Sequence, residues 1–507
     1  MKSSIISLAL AIILIACGTS NKPAESTVFS EPHRPQIHFS PKEKWMNDPN
    51  GMVFHNNQYH LFYQYYPDST VWGPMHWGHS TSTDLVHWEH QPIALFPDSL
   101  GYIFSGSAVV DVNNTAGFGK DDQAPLVAIF THHDPAGEKE GRNDYQVQSL
   151  AYSLDNGHTW TKYEGNPVLK NPGIKDFRDP KVFWHNETNQ WIMALAVLDR
   201  ISFYSSPDLK NWKMESDFGK EVGAHGGVWE CPDLFPLDYN GENIWVLLVS
   251  INPGGPNGGS ATQYFTGRFD GKIFTPFDTA TRWLDHGPDN YAGVTWSNTG
   301  KRKIFLGWMG NWQYAQVVPT EKWRSAMTVP RDLAIEKVGD KYLVKSIPVP
   351  ELDVLSSSAI KLENIKTDHF DLTEKTGKLN GPARLSLQAA EIGELTITLS
   401  NEKGQRVVIG YDAAAKQYFI DRQESGNTSF EKGFAARHTA RRVSNKPDLD
   451  LTLIIDVASV ELFADNGLTT MTQVFFPDSP YTSITIHSPN NLLIQKLNFS
   501  HLESMYE

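Results

Sequence analysis

Cysteine is nearly absent: the 507 residues hold only Cys17 and Cys231. No disulfide framework can brace the chain, so stability must come from packed cores. The 18 His are scattered, with neither a paired-Cys motif nor His-Glu-x-x-His among them, so no metal and no cofactor is expected. Basic charge is also short, at 44 Lys and Arg against 58 Asp and Glu, a net charge of −14. Such a surface repels nucleic acid and anionic membranes rather than binding them. A long hydrophobic run is missing as well. The stretch from Ile5 to Ala16 is too short to span a bilayer at about 1.5 Å per residue. No long segment keeps a 3.6-residue period, which argues against a helical protein.

What is abundant points the other way. The chain has 15 Trp, 18 Tyr and 26 Phe, punctuated by 38 Gly and 30 Pro. Aromatics favour strands, and Gly and Pro favour the turns between them. Short apolar runs such as Leu126–Phe130, Trp191–Val197 and Ile244–Val249 have strand lengths. A weak repeat sharpens this reading. Ser82-Thr83-Asp84-Leu85-Val86-His87-Trp88 recurs as Ser153 to Trp160 and as Ser206 to Trp212, with a degenerate copy at Gly267 to Gly271. A strand-turn-strand unit returning every 50–70 residues is the mark of propeller blades, and residues 36–345 allow about five. The repeated Trp are read as blade-packing residues.

Beyond Trp323 tryptophan disappears. Strands such as Leu395-Thr396-Ile397-Thr398-Leu399 now alternate apolar with polar, as in two sheets packed face to face. The chain is therefore predicted to be all-β: a five-bladed β-propeller over 36–345, a linker at 346–356 and a β-sandwich over 357–507, read as a structural brace. The N-terminus is an address. Lys2, the short greasy run and Leu14-Ile15-Ala16-Cys17, which looks like a bacterial lipobox, predict a signal peptide over 1–16 and a lipid on Cys17. Residues 17–35 would be a flexible tether. The body is then expected on a bacterial cell envelope, periplasmic or at the cell surface, touching the membrane only through that lipid.

Three acidic residues stand in marked surroundings: Asp48 in WMNDPNG, Asp179 in Phe177-Arg178-Asp179-Pro180 and Glu230 in Trp229-Glu230-Cys231-Pro232. Each lies beside Pro or Cys-Pro, where a helix is disfavoured. Segments of different blades converge on a propeller's axis, so carboxylates far apart in sequence can share one funnel. Taken alone, Asp-Pro-Asn-Gly is more often a turn than a catalytic segment.

Together with Phe104-Ser105-Gly106-Ser107, the block Gly307 to Ala315, the block Pro319 to Arg331 and Asp456 to Gly467, these motifs resemble glycoside hydrolase family 32, the invertases, inulinases and levanases. The resemblance covers nearly the whole chain after the signal. It implies a retaining hydrolase of β-fructofuranosidic bonds: Asp48 the nucleophile, Glu230 the general acid and base, Asp179 the transition-state stabiliser. A retaining mechanism would set the nucleophile and acid carboxyls about 5–5.5 Å apart. It further implies that Asn47, Gln64, Trp72, Phe104, Ser105, Arg178, Trp308 and Tyr291 bind the terminal fructose. Asn290 stands where the family often has Phe. Cys231 is read as a compact buried neighbour of Glu230.

The expected substrates are levan or inulin, with exo release of fructose and action on sucrose. An endo-acting enzyme, a sucrose-specific invertase and a non-catalytic sugar-binding lipoprotein are the alternatives; transfructosylation competes with hydrolysis for the same intermediate. Linkage preference and oligomeric state are not legible in the sequence.

Overall fold

The computed structural model describes residues 29–120, 123–366 and 368–506. The signal segment, Cys17 and most of the expected tether lie outside the described residues. From Lys44 to Pro348 the chain forms five antiparallel sheets, one after another. Their innermost strands are Lys44–His55, Tyr102–Val110, Phe177–His185, Val228–Tyr239 and Tyr291–Thr295. Each sheet runs outward from its inner strand, as in the third: Phe177–His185, Gln190–Val197, Arg200–Ser206, Lys213–Phe218. These are the blades of a propeller. The ring closes between the last and the first: Val53 bridges Ser297, and Trp323–Arg324 pairs in parallel with Lys44–Trp45.

Blade strands read as continuous apolar runs because both sheet faces are covered by neighbouring blades. Leu126–His133 is buried at every residue. Each blade boundary has its own apolar layer. Between the first and second blades it includes Phe62, Trp77, Ala128 and Phe130; between the third and fourth, Ile192, Phe203, Leu247 and Phe265.

The repeated Ser-x-Asp…Trp unit is the turn joining the two outer strands of the first three blades. Ser82 Oγ donates to Asp84, Ser153 to Asp155 and Ser206 to Asp208, at 2.8–3.1 Å. The Asp accepts the turn's backbone N–H groups, and the Trp indole N–H closes it on the carbonyl of Leu85, Gly157 or Leu209. In the fourth blade Asp270 does the same for Lys272 and Ile273. These Trp serve architecture.

A 3-10 turn, Pro350–Leu355, leads into two six-stranded sheets. Leu395–Ser400 buries alternate residues, as the face of a sandwich requires. The sandwich joins the propeller through buried charge. Arg331 of the fifth blade pairs with Glu461 of the sandwich and with Asp285. His38 places Nδ1 2.7 Å from Asp456 and Nε2 2.9 Å from Glu461.

With both ring nitrogens on carboxylates, His38 is held as the imidazolium. Burial opposes that charge, but Asp456 and Glu461 outweigh it and raise the pKa to about 9. A pKa raised above the unfolded value stabilises fully below about pH 6.5 and loses that contribution as pH rises through 9, about 3 kcal/mol at most. His38→Asn is therefore expected to lower Tm more at pH 6 than above pH 9, measured by thermal melts across that range. An equal drop at both ends would refute it.

Candidate active site

Every one of the five innermost strands breaks register at its motif. The pairing skips at Asn47-Asp48 in the first, Phe104-Ser105 in the second and Asp179-Pro180 in the third. It skips at Cys231-Pro232 in the fourth and at Ala292-Gly293 in the fifth. Proline has no N–H for a ladder and belongs at such bulges, and a bulge re-aims the side chains beside it. Asp179, Cys231 and Ala292 take φ of +63°, +45° and +53°, uncommon for residues with a Cβ. The segment Asp48-Pro49-Asn50-Gly51 is thus part of a doubly bulged strand, whereas its composition suggests a turn. Gly51 has φ +56°, and a Cβ there would lie 2.7 Å from the rings of Phe62 and Trp77. Only glycine fits.

The bulges bring three carboxylates to one cavity of about 310 Å³, room for a sugar ring. Asp48, from the first blade, accepts from Asn47 Nδ2 at 2.9 Å and Ser105 Oγ at 2.8 Å. Trp45 Nε1 donates to Asn47 Oδ1 at 2.7 Å, which fixes the amide's orientation. Asp179, from the third blade, accepts the Cys231 backbone N–H at 3.1 Å. The Cys231 thiol lies 3.6 Å from both Asp48 and Asp179, joining the two. Glu230, from the fourth blade, is gripped on both oxygens. Arg178 donates to Oε1 from Nε at 3.2 Å and from its terminal nitrogen at 2.9 Å, and the Tyr291 hydroxyl bonds Oε2.

Burial of this acidic cluster shifts its protonation. Burial and then the Glu230 charge raise Asp48, against the hydrogen bonds of Asn47 and Ser105. Burial raises Asp179 to about 7; Arg178 opposes the rise, and Glu230 and Asp48 add to it. The Cys231 thiol is pushed far up by burial and its acidic neighbours, so it stays protonated and is no nucleophile. Arg178 keeps its charge against burial because Glu230, Asp179 and Asp176 surround it.

Of the residues expected to hold the sugar, Asn47, Gln64, Trp72, Phe104, Ser105 and Arg178 line the cavity. Gln64 is buried with Nε2 unpartnered by protein, a donor suited to a sugar hydroxyl. Trp72 meets Phe104 edge-on at 6.1 Å and forms an aromatic wall. Two other expected residues are not among those lining the cavity. Trp308 does not face the cavity: it is fully buried beneath Trp45 and Trp312, and Trp312 lines the cavity instead. Tyr291 is fully buried too and reaches Glu230 rather than the cavity wall. The sequence reading missed His133, Glu138, Tyr145, Asn252 and Gln316. Trp312 and Gln316 sit in or beside a quoted motif block, but nothing in the residues around Glu138 or Asn252 marks them.

Comparison with known proteins adds the following. Residues 38–346 match the family description "Glycosyl hydrolases family 32 N-terminal domain", and 352–503 match "Glycosyl hydrolases family 32 C terminal". A levanase from Bacillus subtilis is 44% identical over 494 residues, covering 94% of this chain and 71% of that protein. An extracellular exo-inulinase from Aspergillus ficuum is 40% identical over 488 residues, covering 89% and 91%. Among solved structures, an exo-inulinase from Aspergillus awamori has a TM-score of 0.85 at 36% identity, covering 94% of this chain and 100% of that one. A β-fructofuranosidase from Schwanniomyces occidentalis, solved with fructosyl-erythritol, has a TM-score of 0.84 at 33% identity, covering 94% and 99%.

Proposed function

The chain belongs to glycosyl hydrolase family 32, and from that premise we infer how its three carboxylates split a β-fructofuranosidic bond. It is an exo-acting β-fructofuranosidase that cleaves fructans. The observation that carries the mechanism is the meeting of Asp48, Asp179 and Glu230 in one cavity from three separate blades.

Asp48 is the nucleophile on the anomeric C2. Asn47 and Ser105 each donate to one of its oxygens, which favours the ionised form that attack requires. Glu230 protonates the departing oxygen and then activates water. Arg178 can only donate, so Oε1 is its acceptor and the transferable proton belongs on Oε2. Tyr291 suits that oxygen, because a hydroxyl can donate to the carboxylate and accept from the acid. Asp179 grips the sugar's hydroxyls as the ring flattens toward an oxocarbenium ion. Two inversions at C2 give net retention.

Sucrose carries the same fructosyl unit and is a second substrate on this reading. Cys17 bears the lipid that holds the enzyme to a bacterial envelope; the extracellular relatives support export.

Chromatography of early products from levan, inulin and sucrose tests the reading. The expected result from the first time points is fructose alone from levan and inulin, and fructose with an equal amount of glucose from sucrose. A ladder of oligosaccharides would overturn exo action, and no release from any of the three would overturn the activity.

A further inference from the structure

The fifth inner strand begins at Tyr291, and the segment leading into it is held by the sandwich as well as by the propeller. The sandwich strand Thr469–Val474 runs along Leu284–Asp289. His286 N–H donates to the Thr470 carbonyl at 2.8 Å, and Asp289 N–H to the Thr472 carbonyl at 3.3 Å. In return Thr470 Oγ1 donates to the Leu284 carbonyl at 2.7 Å, and Thr472 donates through N–H and Oγ1 to Asp285 at 2.9 and 2.7 Å. The approach is so close that a Cβ on Gly287 would lie 2.1 Å from the Thr472 carbonyl oxygen.

Two residues before Tyr291, Asp289 is buried and bonded entirely by groups that fix its place. Arg422 of the sandwich donates at 2.7 Å and the Val474 N–H at 3.0 Å to Oδ2, while the Tyr314 hydroxyl donates to Oδ1. Arg422 also donates to Tyr314 at 2.9 Å. No other side chain bonds Glu230 Oε2 among the described contacts than Tyr291.

We propose that the sandwich domain is a working part of the catalytic centre: Arg422, through Asp289, sets the position of the Tyr291 hydroxyl and so the aim of the Glu230 carboxyl. Arg422, Asp289 and Tyr291 are then positioning residues. A brace that served stability alone would need no anchor two residues from the acid's own hydrogen-bond partner. The segment also carries a second line to the cavity: Asn311 Nδ2 donates to the Pro288 carbonyl at 2.8 Å, and the next residue is the cavity-lining Trp312.

The test is a double-mutant cycle on the full chain, combining Arg422→Lys with Tyr291→Phe. Arg422→Lys is expected to lower kcat on levan by about ten- to a hundred-fold, the scale of a misplaced catalytic group, with KM little changed. On p-nitrophenyl β-fructofuranoside, whose leaving group needs no proton, the loss in kcat/KM, which reports formation of the fructosyl-enzyme, should be smaller than on levan. In the Tyr291→Phe background the same change should cost little, because its route to Glu230 is already cut. Equal losses in both backgrounds, equal losses in kcat/KM on both substrates, or undiminished turnover would each overturn the proposal. If Arg422→Lys does not fold, Tyr314→Phe removes one hydroxyl from Asp289, keeps the ion pair and is read in the same way. This inference rests on Glu230 being the acid and base. That reading fails if Glu230→Ala keeps its turnover, whereas the inference fails in the cycle even when Glu230→Ala is inactive.

Discussion

Asp48→Ala is expected to lower kcat on fructan or sucrose by about five to six orders of magnitude, the scale for losing an enzymic nucleophile and equal to about 7–8 kcal/mol of barrier. The fold should survive. Burial and the Glu230 charge raise the Asp48 carboxyl. A raised carboxyl costs stability as pH climbs above its unfolded value, so its removal should leave Tm unchanged or higher at neutral pH. Loss of turnover with a retained or raised Tm separates chemistry from unfolding. Stereochemistry makes the assignment sharper. Ala leaves room on the face from which Asp48 attacks, and azide can enter there. With p-nitrophenyl β-fructofuranoside, a single displacement by azide gives fructosyl azide of inverted configuration. Recovery of the β-azide instead, or turnover within tenfold of the parent, would show that Asp48 is not the nucleophile.

The blades were legible because their turns repeat. Ser-x-Asp…Trp needs the same hydrogen bonds each time the outer strands reverse, so the residues return wherever the geometry returns. The sandwich was legible because one face of each strand stays apolar, as Leu395–Ser400 shows. Pro49, Pro180 and Pro232 marked segments that could not be helical, and all three stand in strands that lose register there. What the residues could not show is which side chains the bulges turn inward. Trp308 and Trp312 are four residues apart in one aromatic block and Trp45 packs against both, so only the folded chain shows that Trp308 is enclosed while Trp312 meets the cavity. Asn252 and Glu138 reach the cavity from segments with no distinguishing pattern. The tie from Arg422 to Asp289 spans 133 positions and joins a charged pair that, in sequence, resembles any two surface residues. Its burial comes from the domain contact, which no local period encodes.

Glu230→Ala is expected to lose about 10²- to 10⁴-fold in kcat on fructan, the usual contribution of general acid–base catalysis. The loss should depend on what leaves. A sugar alkoxide needs a proton to depart, and without Glu230 that step is slow. A nitrophenolate does not need one, so with p-nitrophenyl β-fructofuranoside Asp48 still attacks and the fructosyl-enzyme forms in a burst. Water then lacks its base, and steady turnover stalls. Azide needs no base and should restore turnover. Because it attacks from the face that Glu230 serves, it completes a second inversion and yields the β-azide. The two variants therefore give azides of opposite configuration from one substrate, and that opposition follows only if Asp48 and Glu230 flank the anomeric carbon on different sides. Arg178 and Tyr291 lose their shared partner in Glu230→Ala, so a melt must accompany the kinetics. A folded variant whose kcat/KM, which reports formation of the fructosyl-enzyme, falls equally on fructan and on the nitrophenyl fructoside would remove Glu230 from the acid's role. An inverted azide from it would reverse the assignment of the two carboxylates.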